Sequence, residues 1–339
     1  MSASRRCILL HGCHRALFSV LVILTALNPG LTLSQIVHDA SSSTLGQGTT
    51  FTWAHTVGSG TNGILIVGVS NRRSNRTVVG VTYAGMSFQR VGFQNSGAST
   101  SRMEMWYLLS PPAGTSNVVV TLSGSTAAVA GAVSFFGVDQ TVPLGAFSST
   151  AGTAANVSLL VPSASNEIVV DVIAAPGPGL SLTEGPGQTV QWVGATGTTG
   201  NEVLGGSSST TGAATVSLSW TLGASVDWGI GAVSLKPANS PNLVLTLVQS
   251  SGNSPPGTVV VYTIDYSNIG NGPAANAVVD LPAPANTSFV ADGVTLDGVS
   301  KTDAADGDEV TRSGSTITVD LGTVPAGAGG TLSYRVVIQ

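Results

Sequence analysis

Charge is scarce in this chain, and cysteine scarcer still. Of 339 residues only 9% are Asp, Glu, Lys or Arg, and both cysteines, Cys7 and Cys13, fall among the first 34 residues. Beyond that leader no thiol remains for a disulfide, a cysteine metal site or thiol chemistry. Aromatic residues make up 5% of the chain, and only two histidines, His38 and His55, follow the leader. Without Arg5, Arg6 and Arg15 the chain keeps 9 basic against 17 acidic residues, a net charge of −8. That balance argues against nucleic acid or an anionic membrane surface as partner. No window sustains a helical period, and no Gly-x-Ser-x-Gly, His-Glu-x-x-His or phosphate-loop motif is present.

The leader itself is informative. Arg5 and Arg6 precede an apolar run, Ala16 to Leu27, which ends at Asn28-Pro29-Gly30. The run is too short to cross a bilayer and suits the core of a signal peptide cleaved before Gln35, with no membrane insertion afterwards. Export to the cell surface or the medium is expected.

What is abundant is Gly, Ser, Thr and alternation. Forty-three glycines and only 9% charge alongside 42% hydrophobic residues describe a chain of short strands and many turns with enough apolar surface for a core. One stretch recurs: Thr115–Val138 and Gly212–Leu235 align, and Gly-Ala-Val-Ser at residues 131–134 returns at residues 231–234. Each copy reads as a hairpin closed by a tight Gly/Ser/Ala turn. The duplication extends to about residues 50–138 and 157–237 of a large module spanning 35–238. Its halves could be separate sandwiches or one interleaved jelly roll. The connection from Gly137 to Asn156 lacks linker character, so a single module is expected. The expected fold is all-β: a duplicated jelly-roll-like β-sandwich, a linker at residues 239–242, and an immunoglobulin-like sandwich over 243–339.

Strand parity assigns the side chains. Phe51, Trp53, His55 and Val57 share an apolar face, which makes His55 a core residue. Trp220 and Trp228, symmetric about Ala224, should face each other across the second hairpin. On the strand around residues 102–109, Met103, Met105, Tyr107 and Leu109 take one face and leave Arg102, Glu104 and Trp106 on the other. Placed outward, Trp106 between Arg102 and Glu104 is a stacking platform for a sugar. Glu167 and Asp171 share a face that is expected to be solvated, as is the turn carrying Arg72, Arg73 and Arg76. Near the C-terminus, Asp303, Asp306, Asp308 and Glu309 fall within seven residues around Gly307, a set of hard oxygens suited to calcium. No other cofactor is indicated.

The last hundred residues carry a resemblance. Pro256-Gly-Thr-Val-Val-Val-Tyr-Thr-Ile-Asp-Tyr-Ser-Asn-Ile-Gly270, Asp280-Leu-Pro-Ala-Pro-Ala-Asn-Thr-Ser-Phe289 and the closing Leu321–Val336 resemble, in order, the conserved-repeat domain (domain of unknown function eleven) of prokaryotic surface proteins. The resemblance implies an immunoglobulin-like sandwich in a bacterial surface or secreted protein, without general enzymatic activity. More loosely, Trp106–Gly114 and Gly137–Gly145 resemble segments of uncharacterised secreted bacterial β-proteins. Together these readings give a secreted or cell-surface, non-catalytic structural or adhesive module. The alternatives are a carbohydrate-binding module, with a glycan or cell-surface polymer as partner, and a β-rich glycan hydrolase built on a carboxylate pair.

Overall fold

A computed structural model describes residues 23–26, 35–177, 179–196, 200–249 and 255–339. The expected leader therefore lies outside the described residues except for one short strand, β1 (Ile23–Ala26). Among the described residues the chain is all-β and falls into two compact units. Ser34–Ala238 forms one, and Asn239–Gln339 together with β1 forms the other.

The first half of the large unit contains β2 (Val37–Val57), β3 (Ile64–Asn71), β4 (Val78–Tyr83), β5 (Met86–Ser87), β6 (Gln89–Asn95), β7 (Arg102–Leu109) and β8 (Gly114–Phe136). They form one antiparallel sheet, ordered β5-β4-β8-β3-β7-β6, with β2 also paired to β8. The expected hairpin does not form: β8 is a single continuous strand of 23 residues, bent in the middle. Its early arm pairs with β4 and its late arm with β3. At the bend the register against β2 jumps, Thr121 standing opposite Thr50 and Thr126 opposite Gly48. Ser123-Gly124-Ser125, read as a turn, is instead a bulge that lets the strand fold over without reversing. Both arms then point apolar residues into one concave space. There Phe51, Trp53, Leu65, Val67, Val69, Tyr83, Val118 and Val120 make a core.

The second half repeats the plan with β9 (Ser148–Pro162), β10 (Ile168–Pro176), β11 (Leu182–Glu184), β12 (Thr189–Ala195), β13 (Val203–Thr211) and β14 (Thr215–Leu235). The long strand β14 bends where the register against β9 jumps from Thr221↔Asn156 to Val226↔Ala154. Trp220 and Trp228 are thus not a cross-strand pair. They sit on the two arms of one strand, opposite Val157 and Gly152 respectively, in the core they share with Leu218 and Ile230.

The halves do not interleave, because each sheet keeps its own strands. They are joined through their convex faces. Ile64, Ile66, Met103, Met105 and Val133 pack against Val170, Val172, Trp192, Val233 and Leu235 in a third core. This is why β3 and β10 are apolar on both sides: each is covered twice. Glycine permits the close approach, since a Cβ at Gly68 would lie 2.5 Å from Val172 and one at Gly131 would overlap the Trp192 ring. Isolated bridges Val138↔Pro237 and Leu144↔Leu235 tie the connecting segment to the end of β14. The result is four β layers enclosing three cores.

The other unit contains β15 (Leu243–Gln249), β16 (Val259–Asn268), β17 (Ala274–Pro282), β18 (Thr287–Leu296), β19 (Val299–Lys301), β20 (Val310–Ser313), β21 (Thr316–Val324) and β22 (Gly329–Ile338). Its two antiparallel sheets run β15-β16-β22-β18-β19 and β1-β17-β21-β20. Tyr262 and Tyr334 stack at 5.0 Å in its core, beside Ile264, Val279 and Val319. The outer edge of β17 is taken by β1, with Ile23 opposite Asp280 and Ala26 opposite Ala277.

Candidate functional site

The Arg102, Glu104 and Trp106 row does not face solvent, which corrects the expected sugar platform. Arg102 and Glu104 are buried and Trp106 is half-buried against the first-half core. Bending β8 and β2 folds a second layer over this side of β7, so the face that parity leaves outward becomes an interior one. Arg102 Nε meets Glu104 Oε1 at 2.7 Å, and the same oxygen accepts the Val78 amide at 2.9 Å. Arg102 Nη1 donates to Asn95 Oδ1 at 3.1 Å, and its guanidinium lies 3.7 Å from the centre of the Phe93 ring. The pair thus connects β7 to β4 through Val78 and to β6 through Asn95, while Glu104 Oε2 is buried without a partner.

His55 is a core residue as expected, and it is the centre of a relay. Ser134 Oγ donates to Asp39 Oδ2 at 2.6 Å. With that hydrogen committed, Ser134 accepts from His55 Nε2 at 3.2 Å. Neutral His55 then presents Nδ1 as acceptor for the Ser42 hydroxyl at 2.8 Å, and Trp53 Nε1 donates to Ser42 Oγ at 3.0 Å. Ser, His and Asp in one chain of hydrogen bonds is the raw material of acyl transfer. Two features favour a structural role here. Burial lowers His55 to about 4, which makes it a weak base at neutral pH, and the Trp53 N–H is directed at Ser42 itself. Asp39 and Ser42 lie on the early arm of β2 and Trp53 and His55 on the late arm, so the relay staples the bend.

Asp171 is fully buried, which corrects its expected solvated position. Its Oδ1 accepts the Ser208 amide at 2.6 Å. Its Oδ2 accepts the Ser208 hydroxyl at 3.0 Å and Trp220 Nε1 at 2.8 Å. Burial pushes its carboxyl up to about 7 against the pull of those donors. Glu167 accepts the Ala164 amide at 3.0 Å from an exposed turn.

The acidic loop does not converge on a calcium site. Asp308 accepts the Thr302 and Val310 amides, at 3.0 and 2.8 Å, and Asp306 accepts the Thr302 hydroxyl at 2.7 Å. Glu309 pairs with Lys301, and Asp303 pairs with Arg312 at 3.3 Å. Apart from Asp303 Oδ1, which is buried without a partner, these carboxylates are turned onto the loop's own amides and cations, and among the described residues no group of three His, Cys, Asp or Glu could hold a metal.

A groove opens on the large unit. It is lined by Arg72, Arg73, Ser74, Asn75, Ser99, Thr100 and Asn201 and has a volume of about 350 Å³. The sequence gives Arg72, Arg73 and Arg76 as a solvated cluster. What it does not reveal is that the turn at residues 96–101 and Asn201 of the other half stand beside them.

Comparison with known protein families finds none that matches this chain, and no curated protein matches it either.

Proposed function

We propose that the chain is a secreted or cell-surface, non-catalytic β-protein, acting as a structural or adhesive module. In this reading the C-terminal unit, with its resemblance to the conserved-repeat family, serves as a spacer. The observation that carries it is the place of the polar chemistry in the large unit. Arg102, Glu104, His55 and Asp171 are all buried, and each is bonded to strands it helps to hold together. Side chains of the kind that do chemistry elsewhere are here built into a four-layer stack, which suits a load-bearing or display role. The test is export of the full chain in a bacterial host. The product recovered outside the cytoplasm is expected to begin at Gln35, whereas retention in the cytoplasm with the leader intact would overturn the reading.

A further inference from the structure

At the Arg72 turn the Nε atoms of Arg72 and Arg76 are buried without a hydrogen-bond partner, as are Trp106 Nε1 and Trp228 Nε1 elsewhere in the large unit; of these residues only Arg72 lines the groove. Among the described residues, ion pairs involve only Arg102, Lys301 and Arg312, so Arg72, Arg73 and Arg76 have no carboxylate partner. Asn75 and Asn201 lie exposed on the groove wall. In a chain of net charge −8 after its leader, an unpaired pair of guanidiniums is an unusual local field.

The turn that carries them is rigid. Asn71, fully buried, accepts the Arg73 amide at 3.1 Å and donates to the Arg76 carbonyl at 2.8 Å. Arg72 Nη1 donates to the Thr100 carbonyl at 2.6 Å, and Ser74 Oγ to the Ser99 carbonyl at 2.5 Å. The facing turn is fixed in its own right by Asp227, which accepts the Ala98 amide at 2.7 Å and the Thr100 hydroxyl at 2.6 Å. Asp227 and the buried Glu202 next to Asn201 are the nearby acids, and Asp227 is committed to holding the wall. The Arg72 arm, held this way, loses little freedom when a ligand binds, and Arg73 projects from the same bonded turn.

The duplication supplies an internal control. Ile64 stands opposite Phe135 as Ile168 stands opposite Leu235, so the corner after β3 corresponds to the corner after β10. There the second half reads Pro176-Gly-Pro-Gly179 and carries no charge. The second half has no arginine at that corner, so the duplicated plan does not by itself require Arg72 and Arg73.

We propose that this groove binds an acidic sugar residue of an extended glycan. Arg72 and Arg73 hold its carboxylate or sulfate, and Asn75 and Asn201 take its hydroxyls. Guanidinium forks match planar or tetrahedral oxyanions, and side-chain amides both donate to and accept from sugar hydroxyls. Recognition rests on charge and hydrogen bonds, since no aromatic ring lines the groove. The inference builds on the carbohydrate-binding alternative and relocates its contact away from Trp106.

Titration calorimetry of the full chain tests it with four probes: an oligogalacturonate, a chondroitin sulfate oligosaccharide, a neutral cello-oligosaccharide and inorganic sulfate. One acidic oligosaccharide is expected to bind at least tenfold more tightly than the neutral one and than sulfate, with affinity falling as salt rises. Which of the two acids wins separates carboxylate from sulfate recognition. Arg73→Ala and Asn201→Ala, both exposed positions, should each weaken it about tenfold at an unchanged thermal midpoint. Binding that survives Arg73→Ala, sulfate binding as tightly as the oligosaccharides, or no binding of either acid would each overturn the groove assignment. None of these outcomes touches the structural reading, which stands or falls on export.

Discussion

His55 and Asp171 titrate in opposite senses over nearly the same pH range. His55 falls from 6.5 to about 4 in the folded chain, so its contribution is complete above 6.5 and is lost as pH drops through 4. Asp171 rises from 3.8 to about 7, so its contribution is complete below 3.8 and is lost as pH climbs through 7. By the usual conversion of a pKa shift the histidine contribution is roughly 3 kcal/mol and the aspartate contribution roughly 4 kcal/mol. Between pH 4 and 6.5 the two slopes oppose, and this pair leaves stability nearly level. Asp171→Asn should expose the histidine term, so that urea midpoints rise from pH 4.5 to 6.5. His55→Gln should expose the aspartate term, with midpoints falling over that range. Parallel slopes in both variants would refute the opposition. The tryptophans give a second contrast. Trp106 Nε1 is buried without a partner, so Trp106→Phe should change stability by less than about 1 kcal/mol. Trp220→Phe strips a donor from buried Asp171 and should cost about 1–3 kcal/mol in the same melts.

The elements that matter most are the two bent strands. A flat β8 would leave Arg102, Glu104 and Trp106 in water; the bend puts a layer over them. Sequence parity separates the two faces of β7 correctly, because alternation is a property of the backbone. It does not say which side is covered, because that depends on β8 continuing through Ser123-Gly124-Ser125 rather than turning back. Glycine substitutions distinguish the bend from the sheet contact. A Cβ at Gly124 meets only the flexible end of Arg76, so Gly124→Ala should be mild. At Gly131 it meets the Trp192 ring between the two sheets, so Gly131→Ala should cost about 1–3 kcal/mol. Thermal midpoints of the two variants check this, and equal losses would contradict the packing described.

Among the described residues the large unit has three cores of its own and the C-terminal unit has one. Residues 35–238 expressed alone are therefore expected to fold, with the cooperative melt and near-ultraviolet signal of the same region in the full chain. A molten product would show that its cores depend on the rest of the chain. Adding calcium or a chelator should leave the melt of the C-terminal unit unmoved, because the acidic loop's carboxylates already serve amides, Lys301 and Arg312. A clear calcium-dependent rise in its midpoint would show that the loop opens to take the ion. Removing residues 1–34 takes β1 from β17, and hydrogen exchange at Val278–Asp280 is expected to quicken as that edge meets water.

Composition and alternation by themselves determined that the chain is all-β, that it repeats, that the face of Phe51, Trp53 and His55 is buried, and that no thiol chemistry follows the leader. These are local properties, set by backbone period and by which residue types are present. Tertiary structure alone decided that the hairpins are bent strands, that the sheets stack without exchanging strands, that Asp171 and Glu104 are interior, and that Arg72 shares a groove with Asn201. Each depends on contacts between residues far apart in the chain. A two-residue alternation says which neighbours share a face, but not what comes to lie upon it.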